Sequence, residues 1–157
     1  TEIGRDSFYN CTALTSIAIP DTVTTVAQSA FYGCTSVASI TLGKSLITIG
    51  TSAFENCKGV KELVIPATVK EIGSSAFGGI TKLESVVFES AATAPTELTT
   101  ISGFNGCEEL KTVVLGNTVG TIGSSCFSGC KSLTSITFGS NIKAIENSAF
   151  KNYTAQR

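Results

Sequence analysis

The residues best suited to chemistry in this chain are its six cysteines, because the sequence contains no histidine to act as base, proton shuttle or metal ligand. Five of them, Cys11, Cys34, Cys57, Cys107 and Cys130, stand three residues after a phenylalanine, and Cys126 directly precedes one. Members of the first set are 23 or 50 residues apart, whereas zinc sites draw on C-x-x-C pairs or on histidine. No metal and no cofactor are therefore expected. Stacked cysteines would be close enough for a disulfide by Cα distance, yet side chains that point the same way suit its torsion poorly. Free, buried thiols packing as small apolar groups are the reading, with Cys126 and Cys130, one helical turn apart, the pair that could act as a redox couple. The missing histidine also removes the commonest general base and the usual serine and cysteine triads, so no catalytic residue is assigned.

What positions these thiols is a repeat. Phe8, Phe31, Phe54, Phe77, Phe104, Phe127 and Phe150 fall at intervals of 23, 23, 23, 27, 23 and 23 residues. A constant rung of this length predicts a solenoid, in which no unit buries its apolar face alone and stacking closes a continuous core. Counting each Phe as zero, +6 holds Leu14, Val37, Val60, Leu83, Leu110 and Leu133, and +9 holds Ile17, Ile40, Leu63, Val86, Val113 and Ile136. Position +11 holds Ile19, Leu42, Ile65, Phe88, Leu115 and Phe138. The spacing of two and the β-branched residues predict a short strand with one face inward. Pro20, Gly43, Pro66, Gly116 and Gly139 stop it at +12, since proline cannot donate to a ladder and glycine permits a turn.

Apolar residues at +15 and +18 then lead into Ser-Ala-Phe-x-x-Cys. Phe and Cys three apart predict one turn of α or 3₁₀ helix with both side chains inward. Each rung should contain one strand, one tight turn and one helical turn, and about six strands should form a parallel ladder roughly 4.7–4.9 Å apart.

The strand Leu14-Thr15-Ser16-Ile17-Ala18-Ile19-Pro20, joined to the Ile-Gly-x-Ser-Ala-Phe-x-x-Cys pattern of residues 49–57, resembles the BspA-like leucine-rich repeats over nearly the whole chain. The resemblance implies a right-handed leucine-rich repeat solenoid, β-rich within the α/β class by convention. It also implies an extracellular or cell-surface protein of bacterial or protist type, with adhesion to a host protein, another surface protein or a glycan as the expected activity. It fixes neither ligand nor catalytic residue.

Two features of the strand face are candidates for partner contact. Val64, Val87 and Val114 occupy the outward +10 position of three adjacent rungs, and Lys61, Glu84 and Lys111 share +7, where they should form an alternating charge ladder. Glu62 lies beside them at +8. Strand propensity also accounts for exposed valines, and an ion ladder worth tenths of a kcal/mol is the simpler account of the charges. A glycosidase would need two facing carboxylates. A polysaccharide lyase on a parallel β-helix would gather acids and bases on a face that here is Ser, Thr and Val. An enzyme is not expected.

Rung 4 departs from the rule: Ile80 replaces Cys, Glu89 replaces the turn Pro or Gly, and four net extra residues lie between Phe77 and Phe104, including Pro95 and Glu97. Such insertions emerge as loops on one face, where partners are often met, though a longer surface loop is also cheaply tolerated.

The 157 residues suit a single domain, 1–157, which reads as a fragment of a longer array because neither end looks like a polar cap. Eleven basic against twelve acidic residues, scattered, give a net charge of −1 and no basic stripe for nucleic acid. The sequence has no apolar run long enough to span a membrane and no signal segment. Asn10-Cys11-Thr12 and Asn152-Tyr153-Thr154 fit the N-glycosylation pattern, to which little weight attaches. Uncovered rung ends favour end-to-end self-association at high concentration. A purely structural spacer is the alternative to a binding module.

Overall fold

Apolar side chains at alternate positions before a Pro or Gly stop give each rung a short strand, and stacking the rungs sets those strands side by side in parallel. The computed structural model describes residues 1–97 and 99–151, so the second glycosylation triplet lies outside the described residues. In chain order the strands are β1 (Glu2–Ile3), β2 (Ser16–Ala18), β3 (Thr25–Val26), β4 (Ser39–Thr41), β5 (Thr48–Ile49), β6 (Glu62–Ile65) and β7 (Glu71–Ile72). They continue with β8 (Ser85–Phe88), β9 (Thr99–Ile101), β10 (Thr112–Val114), β11 (Val119–Ile122), β12 (Ser135–Thr137) and β13 (Ala144–Ile145).

The even-numbered strands are the expected ladder, one per rung at +8 to +11, and their inward residues Ile17, Ile40, Leu63, Val86 and Val113 are buried. The odd-numbered strands form a second parallel sheet in the order β1-β3-β5-β7-β9-β11-β13, which the single-strand reading of the rung did not include. Its inward column is the +18 residue, with Val26, Ile49, Ile72 and Ile122 buried, and Ile101 takes the same buried place in the longer rung 4. Most of these strands are two residues long, too few for an alternating pattern to declare itself in the sequence.

The helical turn expected around each Phe is absent: no helix occurs among the described residues. Alternate amides leave the rung. Ser29, Phe31 and Gly33 donate to Thr51, Ala53 and Glu55 of the next rung at 2.8–2.9 Å, while Ala30, Tyr32 and Cys34 donate to carbonyls three residues back at 3.1–3.4 Å. A helix keeps all such bonds within itself and holds φ near −60° throughout. Here Ser29 has φ 55° and Gly33 φ 72°, and later rungs repeat the left-handed residues at Ser52 and Asn56. The segment is a run of linked turns that puts Phe and Cys inward without a helix.

The phenylalanines form an unbroken column, with neighbouring ring centroids 4.9–5.6 Å apart and planes within 20° of parallel. Phe88 meets Phe104 edge-on at 5.8 Å. Such pairs contribute about 0.5–1.5 kcal/mol each beyond their burial. Two inward assignments fail at the outermost rungs, where no neighbour covers one side: Phe8 is 41% and Phe138 50% exposed. Cys11 is exposed for the same reason, while the other five cysteines are free and buried as expected.

The extra length of rung 4 is distributed unevenly. Ile101 follows Phe77 by 24 residues where other rungs have 18, and precedes Phe104 by three where others have five. Gly103 makes the shortened entry possible: its φ is 91°, and a Cβ there would lie 2.8 Å from the Ala76 nitrogen and the Gly73 oxygen. The insertion is tied down on its far side. Asn117 accepts from the Ala91 amide at 2.8 Å and donates to the Ala91 carbonyl at 3.1 Å, while its own amide reaches Ser90 Oγ at 3.1 Å.

Candidate functional site

The outward side of the even-numbered strands brings most of the candidate residues together. Register places Val64 opposite Val87 and Val87 opposite Val114, so the three valines form one continuous stripe. Val64 is 48% and Val114 38% exposed, with Val87 between buried and exposed. Glu62 and Thr112 flank Ser85 in the adjoining row. Hydroxyl-bearing and aliphatic side chains on a pleated surface give a face that can be covered by a partner at little polar cost.

The charge ladder is half-formed. Lys111 Nζ donates to Glu84 Oε2 at 2.9 Å, and Lys61 makes no ion pair with Glu84 among the described residues. The hydrogen bond from Lys111, then its charge, and more weakly the charge of Lys61 hold the Glu84 carboxyl below the ordinary carboxylate range. Lys111 is correspondingly raised, first by that hydrogen bond and then by the Glu84 charge.

The insertion does not bring all its residues to the stripe. Glu89 lies on the strand face, its amide donating to the Ile65 carbonyl at 2.9 Å. Glu97 instead receives Lys70 Nζ at 2.8 Å, next to β7 of the other sheet, and this bond lowers its pKa. Pro95, half-buried, lies on the loop between the Ala91 anchor and Glu97.

The structure also contains a break that sequence reasoning missed. At the other junctions of the first ladder the +7 amide donates to the +7 carbonyl one rung back: Ala38 to Thr15, Glu84 to Lys61, Lys111 to Glu84 and Thr134 to Lys111, at 2.7–2.9 Å. Among the described residues the Lys61 amide makes no such bond to Ala38, β4 and β6 are not paired, and the ladder divides into β2-β4 and β6-β8-β10-β12. Pro66 lacks the N–H that Glu89 uses one rung later. Gly59 lets rung 3 press so close that a Cβ would lie 2.7 Å from the Val37 oxygen. Between β4 and β6 lies a cleft of about 350 Å³ with Ile40, Leu42, Val64 and Pro66 along it and Lys44, Glu62 and Glu89 about it.

The cysteines have a structural role instead. Sγ of Cys34, Cys57, Cys107 and Cys130 donates to the carbonyl of Phe8, Phe31, Phe77 and Phe104, each in the preceding rung, at 3.2–3.4 Å. Burial raises Cys34 and Cys126 and pushes Cys57 up to about 12. Contact with the Cys130 thiol, and then burial, holds Cys107 well above the ordinary thiol range. Such thiols are poor nucleophiles and poor redox groups. Among the described residues no group of three His, Cys, Asp or Glu could hold a metal ion, and no helix is long and apolar enough to cross a membrane.

Parallel strands on two faces, stacked around a column of identical side chains with one rung per repeat, define a β-solenoid of leucine-rich repeat type. The chain belongs to the BspA type leucine rich repeat family, whose repeat model matches six copies over residues 1–103 and 91–157. No curated protein matches it by sequence. Among solved structures it is similar to a leucine-rich repeat protein of T. pallidum, at 29% identity and a TM-score of 0.60, over 85% of this chain and 72% of that one. It is similar also to one of Eubacterium ventriosum ATCC 27560, at 27% identity and 0.70, over 92% of this chain and 44% of that one. A third, of Bacteroides ovatus ATCC 8483, has 26% identity and a TM-score of 0.58, over 92% of this chain and 43% of that one. This chain thus spans less than half the length of the last two.

Proposed function

We propose that this chain is a protein-interaction module of a secreted or cell-surface protein, binding a protein or glycan partner through the outward side of its first sheet. The observation that carries the reading is the in-register, exposed Val64–Val87–Val114 stripe, bordered by Lys61, Glu62, Glu84 and Lys111. Family membership supports an interaction role and a surface location. Glu89 extends the face at one end; Pro95 and Glu97 belong to a loop that leads from it toward the other sheet. The test is a binding screen of the purified chain against extracellular-matrix proteins and glycans, with V64S/V87S/V114S as the folding-matched control. Saturable binding lost in the variant is expected; binding equal in both would sink the reading.

A structural spacer is the second reading, favoured by the Asn117 anchors that sew the insertion into the stack. It predicts that no ligand in the screen binds. Exposed Phe8, Phe138 and Ile145 on the outermost rungs support end-to-end self-association, for which sedimentation at rising concentration is the check.

A further inference from the structure

We propose that the cleft between β4 and β6 receives a single basic side chain, arginine or lysine, presented by a protein partner. The inference rests on the reading of this sheet face as the binding surface and gives the partner its chemistry. Its volume of about 350 Å³ lies at the lower end of the roughly 300–1,000 Å³ typical of ligand sites, enough for one long side chain but not for an added strand or helix. Ile40, Leu42, Val64 and Pro66 offer apolar surface to an aliphatic stem, the part of Lys and Arg that packs on apolar surface while the head stays polar.

Charge sets the sign. Glu84, Glu97 and Glu108 are each engaged by a lysine at 2.8–2.9 Å, whereas Glu62 and Glu89, both lining the cleft, have no Lys or Arg nitrogen within 4.0 Å among the described residues. Lys44 is the one cation of the lining, and the Asp21 carboxylate sits 2.7 Å from its backbone nitrogen, adding a further negative charge nearby. The cleft is therefore net negative over an apolar floor. An acidic side chain or uronate would face two unpaired carboxylates, while a guanidinium or ammonium group would pair them.

The experiment is an NMR titration of the ¹⁵N-labelled chain with three capped tripeptides, Val-Arg-Val, Val-Lys-Val and Val-Glu-Val. Amide shifts at Thr41, Leu42, Lys44, Glu62, Val64 and Glu89 are expected with a basic peptide and not with the acidic one. The isosteric E62Q/E89Q variant, checked as folded by its overlaying spectrum, should weaken the response at least about fivefold. Four results overturn the proposal: equal response to the acidic peptide; undiminished response in E62Q/E89Q; shifts centred on Val87, Val114 and Lys111; or no response to any peptide at about 10 mM, where a site of 1 mM affinity would be nearly saturated. The two ideas fail separately. A matrix ligand lost in V64S/V87S/V114S but retained in E62Q/E89Q keeps the sheet face as the binding surface and discards the cation cleft. Peptide binding with no macromolecular ligand does the reverse.

Discussion

The junction between rungs 2 and 3 and the junction between rungs 4 and 5 exchange the characters their sequences suggest. Phe31 and Phe54 are a regular 23 residues apart, yet the first ladder is open there; Phe77 and Phe104 are 27 apart, yet β8 and β10 pair in full register. The irregular rung is closed by added anchors, chiefly Asn117 on Ala91 and Ser102 Oγ on the Ile72 carbonyl at 2.7 Å. The regular junction is the open one even though Gly59 lets its two rungs approach closely beside it. Both junctions share the aromatic column, with centroids 5.3 Å apart at the open one and 5.1 Å at the closed one. The core column holds the stack together, and strand pairing on its outside can be spent on a surface feature.

If that is so, damage to the column should exceed anything done to the sheet. Phe77 is fully buried between two stacked rings, and Phe77→Ala should cost about 3–5 kcal/mol through lost burial and the cavity left behind. Urea unfolding is the measurement, with Phe8→Ala and Tyr32→Ala as controls expected to lose only a fraction of that. Near-equal losses would mean that the column does not dominate.

The closed junction should also have no room to spare. A Cβ at Gly116 would sit 2.4 Å from the Glu89 carbonyl oxygen, so Gly116→Ala should destabilise by about 1–3 kcal/mol. At Gly4 the nearest atom is the Ser7 hydroxyl at 3.3 Å, an exposed group whose hydrogen bond to the Gly4 carbonyl at 2.6 Å need only adjust, and Gly4→Ala should cost much less than Gly116→Ala. A neutral Gly116→Ala would show that β8 and β10 are as loosely joined as β4 and β6.

These contrasts mark what could be read from the sequence and what could not. The Phe period and the +6, +9 and +11 columns fix the rung and its first strand because their offsets recur in every unit. Phe and Cys three apart is compatible with both a helix and linked turns, so that spacing alone does not separate them. The distinguishing signal was the +2 column of Asn10, Gly33, Asn56, Gly79, Gly106 and Gly129, residue types that tolerate left-handed φ. The valine stripe was legible from alternation alone. The cleft was not, since Pro66 matches Pro20 as an ordinary strand stop and the 23-residue spacing of rung 3 is regular.

The open junction makes a smaller, residue-specific prediction. The Lys61 amide, lacking the partner that Glu84 and Lys111 find one rung back, should exchange with solvent roughly fivefold faster than theirs, the equivalent of about 1 kcal/mol for one hydrogen bond. Pro66→Gly, which restores an N–H and removes the ring, should slow Lys61 exchange and leave Glu84 unchanged. Equal protection of all three wild-type amides would mean that the ladder closes in solution.

The smallest expected effect distinguishes the two lysines that flank Glu84. Its carboxyl is depressed chiefly by Lys111, so Lys111→Ala should move the Glu84 titration upward more than Lys61→Ala does. The sign for stability follows from the direction: a group whose folded pKa is depressed contributes above its unfolded pKa, and that contribution fades as pH falls through the folded value. For Lys111, raised by the same pair, the contribution is present below its unfolded pKa and fades as pH rises through the folded one. Both side chains are exposed, so added salt should shrink the difference between the variants. The readout is the Glu84 side-chain carboxyl resonance followed from neutral to acid pH. Equal upward shifts in the two variants would make the ladder symmetric about Glu84, with Lys61 acting on it as strongly as Lys111 does.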